Sequence, residues 1–403
     1  MRASILAFAL LLTSPASALA ESWCAYPLWV HEWGVQAFSS SGAPTSPAAL
    51  PSWFHRSASR RPGVAPVRHM PADSGMRALP VLHFYSAGTL SGGRIPVGVE
   101  VGFTRGEARV WYPQVDTRRR ASAANTPAAR QQRASLLRAR GARDPIQNAG
   151  GARFPSDPTA QLVWDRLELS AGQPAHTPHR ARADWVRQLR DFDSALWVDG
   201  AQGESERFVF YEAETRERVP LRVERGPTHR AGRRHLVLRN TGSHAVHDVF
   251  FTHREGEGAR ERVFVFFAPS IPAGARAGFV LEEHAAADVD AATRDRLRTR
   301  LVDAAEPTPP TSYRWGPDRC VMQRDPAVPV DTAEGHRLYA HEVDAILAIW
   351  GERFFAQPGT TLVYREDTAY LDQAMPLAVY TDMYNFVLLR RAGLAVWSDL
   401  ALP

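Results

Sequence analysis

Six short strand candidates crowd the stretch between Arg207 and Leu281, and they constrain the fold more than any other feature. They are Arg207–Tyr211, Val219–Val223, His235–Leu238, Val246–Thr252, Arg262–Phe267 and Ala277–Leu281. Asn240-Thr241-Gly242, Gly256 to Gly258 and Pro272-Ala273-Gly274 supply turn chemistry between them. Strands this short and this regularly punctuated suit a small Greek-key sandwich.

Upstream, Val97, Val99, Val101 and Phe103 alternate with Gly98, Glu100 and Gly102, the period of a half-buried strand. Val81–Tyr85, Arg109–Tyr112, Gln161–Leu169 and Ala195–Val198 read as further strands, and Trp29–Trp33 as an early one. Residues 113–158 interrupt this pattern as a basic insertion, with a short helix expected from Thr126-Pro127 to Arg140. Eight arginines and no acid lie between residues 118 and 143.

Helical periodicity appears only late in the chain. Residues 285–304 carry acids early and arginines late, matching the helix dipole. Tyr339, Val343, Ile346, Trp350 and Phe354 form one stripe on a helix expected over Ala333–Phe355. Thr361–Tyr364, Leu377–Tyr380 and Asn385–Arg390 read as closing strands. The fold class expected is mainly β with an α+β C-terminal region. It is multi-domain, with a β-sandwich-like middle domain. The divisions are 1–20, 21–200, 201–283 and 284–403.

Residues 1–20 have the form of a signal peptide: Arg2, the apolar run Ile5–Leu12, then Ala18-Leu19-Ala20. They imply export to the periplasm or the exterior, and no later segment is apolar enough to span a bilayer. Cys24 and Cys320, the two cysteines, are expected to form a disulfide in that setting.

All 48 basic residues are arginine. Without lysine there is no Schiff-base enzyme, so pyridoxal phosphate is excluded, as is a P-loop nucleotide. No GxGxxG sequence marks an NAD site, and GxSxG is absent. A transition metal stays open. The net charge of +5 is modest, so the basic insertion, with Arg118, Arg119 and Arg120, points to an anionic glycan or an envelope protein rather than nucleic acid.

Trp29 to Gly34, WVHEWG, resembles the start of a group of secreted bacterial proteins that open with VHEWG. LVWDRL at 162–167, ESERFVFY at 204–211, GERFFAQPGTTLVY at 351–364 and MPLAV at 375–379 are similar in type and order. The resemblance implies a multi-domain secreted architecture and carries no catalytic role.

His31 and Glu32 are the first candidates for chemistry. On a strand they point to opposite faces, with Trp29 and Trp33 on the side of His31. The tryptophans there make either a stacking platform or a core. Glu204 with Glu206, and Glu212 with Glu214, would share strand faces, a spacing that glycosidase carboxylates also use. His341-Glu342 is not the start of HExxH, because Ala345 stands where the second histidine belongs. Three readings stay open. The first is a non-catalytic secreted or periplasmic binding protein. The second is a secreted hydrolase, metal-dependent or not, with ligands among His31, Glu32, His55, His69 and His83. The third is an envelope protein that self-associates through exposed sheet edges.

Overall fold

A computed structural model describes residues 28–39, 49–57, 75–86, 94–119, 160–226, 235–256, 258, 261–309, 335–381 and 387–403. The described residues contain no cysteine and no disulfide. The expected Cys24–Cys320 bond is therefore withdrawn as a feature of this structure, both cysteines lying outside the described residues. The leader at 1–20, His69, Arg120 and the expected helix at 126–140 also lie outside them.

The architecture is mainly β with helices added towards the C-terminus. One ten-stranded sheet forms its centre. Its inner strands are β1 (Leu28–Ser39), β3 (Gly75–Ser86), β10 (Val209–Thr215), β13 (Val246–Glu255), β17 (Gly359–Glu366) and β19 (Val387–Ser398). Beyond them lie β5 (Gly106–Tyr112), β14 (Arg262–Ile271) and the edges β2 (His55–Arg56) and β16 (Glu282–His284). The order is β16-β14-β13-β17-β19-β1-β3-β10-β5-β2. Strands from all three segments drawn from the sequence, 21–200, 201–283 and 284–403, thus share one sheet. Both edge strands are short, which limits edge-to-edge pairing.

The β1–β19 pair is parallel and joins the two ends of the described chain in register, Leu28 beside Val387 through Ser39 beside Ser398. A pattern of period two shows that each segment is a strand, but not that they are neighbours.

A second sheet has six strands: β4 (Ile95–Phe103), β6 (Thr117–Arg119), β7 (Ala160–Ser170), β8 (Trp197–Gly200), β9 (Glu204–Glu206) and β18 (Leu377–Thr381). A third has β11 (Leu221–Arg225), β12 (His235–Asn240) and β15 (Arg276–Val280). The helices are α1 (Asp184–Arg190), α2 (Ala286–Leu301), α3 (Ala340–Phe355) and α4 (Thr368–Ala374).

Strand alternation sorts these layers. Trp29, Trp33, Val35 and Ala37 of β1 face a core shared with α1, α2 and α3. Leu28 and Val30 face the six-stranded sheet. Phe38 faces a third core, in which Leu221, Leu236 and Leu238 of the small sheet meet Val249, Phe251 and Leu362 of the large one. That packing is the β-sandwich-like part of the middle region. Its corner is made where the chain leaves β15, passes Leu281 and returns to β14 as β16.

All five residues of the α3 stripe are buried in the helix-side core. Each contributes about 1.5–3 kcal/mol by leaving water. The helix starts at Ala340 rather than Ala333. Glu342 caps it by accepting from the Tyr339 backbone N–H at 3.0 Å. No described helix is long and apolar enough to cross a membrane.

One irregularity positions the rest. Trp33 pairs with Val81 but Val35 pairs with Ala78, so β3 holds one extra residue around Leu79-Pro80. Leu79 is left-handed at φ 52°. Pro80 sits there without needing to donate to the ladder. A Cβ on Gly34 would come within 2.9 Å of the Pro80 Cα, so this close approach requires glycine.

Candidate functional site

The extra residue divides the chemistry of β3 between two faces. Before it, Arg77 pairs with Gln36 and points to the sheet side. After it, His83 pairs with His31 and both point to the helix side. His31 and Glu32 do take opposite faces, as strand geometry requires.

On the helix side, Glu342 of α3 reaches down to the two histidines. His31 Nδ1 lies 2.7 Å from Glu342 Oε2 and donates to it. His83 Nδ1 lies 3.6 Å from Oε1 of the same carboxylate, beyond hydrogen-bond range. The Tyr85 hydroxyl lies 3.1 Å from His341 Nε2. His31 packs between Tyr339 at 4.4 Å and Tyr85 at 5.3 Å, centroid to centroid.

His31, His83 and Glu342 have 0% exposure. Burial opposes the Glu342 charge, yet the His31 imidazole, with His83 and His341 behind it, holds that carboxyl down at about 2. Burial pushes His83 down to about 3 against the pull of Glu342, so this ring is neutral near pH 7. Burial and then Glu342 push the Tyr85 phenol well up. His31 Nε2, both His83 ring nitrogens and Glu342 Oε1 are buried without a hydrogen-bond partner. Among the described residues no group of three or more His, Cys, Asp or Glu is arranged to hold a metal ion.

On the sheet side lies a buried ionic network. Arg391 donates through Nε to Glu32 at 2.5 Å and through a terminal nitrogen to Asp372 at 2.8 Å. The Tyr211 hydroxyl also donates to Glu32. Arg77 makes a two-pronged contact with Glu366, one arm at 2.9 Å, and reaches Glu217 at 2.9 Å. Each of these carboxylates is engaged by an arginine, Glu366 by a two-pronged fork.

The other sequence candidates separate. Trp29 and Trp33 are core residues, 4% and 1% exposed, and not a surface platform. Arg118 turns inward, 4.7 Å over Trp111 and hydrogen-bonded to Ser57 Oγ at 2.8 Å. Arg119 lies on β6, but its side chain is outside the described set. His247 and His253 have separate partners, Asp367 at 3.0 Å and Glu255 at 2.9 Å.

His55 is placed differently from His31 and His83. On the edge strand β2, its Nε2 lies 2.6 Å from Glu204 Oε1. The other Glu204 oxygen accepts from the Gln114 N–H at 2.6 Å. The pair reaches the surface, with His55 30% exposed.

No family model matches the chain, and no curated protein matches it. Among solved structures, the Mu homology domain of Fcho1 from Danio rerio with bound Eps15 peptide is 7% identical. The match covers 94% of this chain and 97% of that one, with a TM-score of 0.30. The yeast delta-COP-I mu-homology domain complexed with a Dsl1 WxWxV peptide is 8% identical over 93% and 95%, with a TM-score of 0.27. These come from a fish and a yeast, not from bacteria. At these scores they carry no argument about fold or function.

Proposed function

We propose that the chain is a non-catalytic binding protein for an anionic partner, a glycan or an acidic protein. One observation carries this reading. The histidines and the glutamate that come together most closely are buried beneath α3 at 0% exposure. The Glu32 and Glu366 carboxylates are likewise occupied by arginines. A chain whose reactive groups hold layers together has its surface left for recognition, and its net charge of +5 favours anions. The test is to immobilise the full chain and present anionic polysaccharides and acidic polypeptides. Saturable, salt-sensitive binding without chemical change to the probe supports the reading. Turnover of any probe overturns it.

A second reading has its own observation. The half-buried His55–Glu204 pair has the form of a general base oriented by a carboxylate, which suits a hydrolase. Hydrolysis abolished by both His55→Ala and Glu204→Gln would favour it.

A further inference from the structure

The outer face of the three-stranded sheet carries a feature that its own stability does not explain. Arg222 of β11 pairs with Arg239 of β12, and Arg239 pairs with Arg276 of β15. Three arginines therefore stand side by side across the whole sheet, spanning about 10 Å at the usual strand spacing. Like charges directly opposite each other destabilise a sheet. Arg239 is 44% and Arg276 60% exposed, so water screens the repulsion without removing it. Glu224 is the acid nearest them, 3.8 Å from Arg239 and 4.0 Å from Arg276, too far to hydrogen-bond either. Arg222 makes no ion pair among the described residues. The row keeps an excess of positive charge and free guanidinium donors.

The next row along the same face is Glu224, Val237 and Gly278, and the row beyond it places Val280 beside His235. Val237 follows on β12, half-buried, and Val280 on β15 is 37% exposed, the one large exposed hydrophobic side chain among the described residues. A basic row with two valines diagonally placed further along the face is complementary to an extended chain carrying carboxylates next to aliphatic side chains. A uniformly polar glycan would leave the valines unused.

We propose that this face docks an acidic, aliphatic segment of a protein partner, its carboxylates held by the forks of Arg222, Arg239 and Arg276. This rests on the binding reading above and adds the place and the partner class. Guanidinium–carboxylate forks fix orientation as well as charge, so the site selects an extended backbone rather than charge alone.

The experiment uses the full chain and a fluorescein-labelled peptide of alternating Glu and Val, with heparin as a second probe. The double variant Arg239→Ser, Arg276→Ser is compared with Arg180→Ser, Arg182→Ser, which removes the same charge from an exposed loop elsewhere. All four side chains are exposed, so thermal melts of both variants should match the parent. The proposal expects at least about a tenfold loss of peptide affinity in the first variant and less than about twofold in the second. Val280→Asp should weaken the peptide similarly. Equal losses in both arginine variants overturn the placement and leave the binding reading standing. Heparin bound without peptide overturns the partner class. Neither probe bound by the parent chain overturns the inference and the binding reading together.

Discussion

His31 and His83 face each other across β1 and β3 and share the single carboxylate of Glu342, one at 2.7 Å and the other at 3.6 Å. They are not equivalent. His31 donates to the carboxylate, whereas burial keeps His83 neutral. The trio ties the sheet to α3 across a buried interface, so its charge state is coupled to folding.

That coupling gives a pH dependence of known sign. His83 is held at about 3 in the folded chain against an ordinary value of 6.5. Between those values the unfolded chain takes up a proton that the folded chain refuses, so stability falls as pH drops from about 6.5 towards 3. The whole window is worth about 3–5 kcal/mol at most. Glu342 acts in the same direction lower down, its contribution being lost as pH falls from 4.5 through about 2. Urea unfolding at several pH values should show this slope. His83→Phe should reduce it above pH 4, burial of His336, also pushed down to about 3, supplying part of the remainder, and an unchanged slope would refute the assignment.

Removing the shared carboxylate should be costly. Glu342→Gln keeps the shape and an acceptor for the Tyr339 N–H but removes the buried carboxylate charge to which His31 hydrogen-bonds. A loss of about 3 kcal/mol is expected, and more for Glu342→Ala. Chemical denaturation at pH 6 measures it; a loss under 1 kcal/mol would mean that the pair contributes little.

The sheet-side network should behave as a coupled unit. Arg391→Met strands Glu32 and Asp372 in the interior and should cost about 3–5 kcal/mol. Adding Glu32→Gln should restore part of that, since the stranded charge is then gone. A double-mutant cycle gives the coupling, and strict additivity would argue against a buried ion pair.

Gly393 offers a steric test beside the sheet-side network. A Cβ there would fall 2.6 Å from a Glu366 carboxylate oxygen and 2.7 Å from Leu371. Gly393→Ala should therefore destabilise by about 1–3 kcal/mol, although alanine is normally the easier residue to order. Thermal melts decide it.

His55→Ala should leave stability within about 1 kcal/mol of the parent, because the pair with Glu204 is partly solvated. Only an assay for hydrolysis would register its loss, which separates the two functional readings.

Much of this was visible in the sequence, and the omissions have physical causes. A period-two run marked β4, and the 3.6 period marked the buried stripe of α3. The opposite facing of His31 and Glu32 followed from strand geometry alone. Glu342 was not singled out, since it lies 311 positions from His31 and no local pattern reports a contact at that separation. Its capping place at the third helical position was hidden as well, because the helix was expected to begin at Ala333. The helices α1 and α4 are seven residues each, too short for a periodic signature. Arg77 and Arg391 were indistinguishable from the many solvated arginines of a lysine-free chain.

The extra residue at Leu79-Pro80 works as a phase shift in the reading of β3. Two incompatible surroundings, one apolar and helical, the other ionic, are served by a single strand because its parity changes once along its length. Deleting one residue there would leave every neighbour in sequence intact, yet it would present Arg77 to the aromatic core and Ala78 to Glu366. The chain therefore carries a counting constraint at that point: its composition could drift widely while the number of residues between Arg77 and His83 could not.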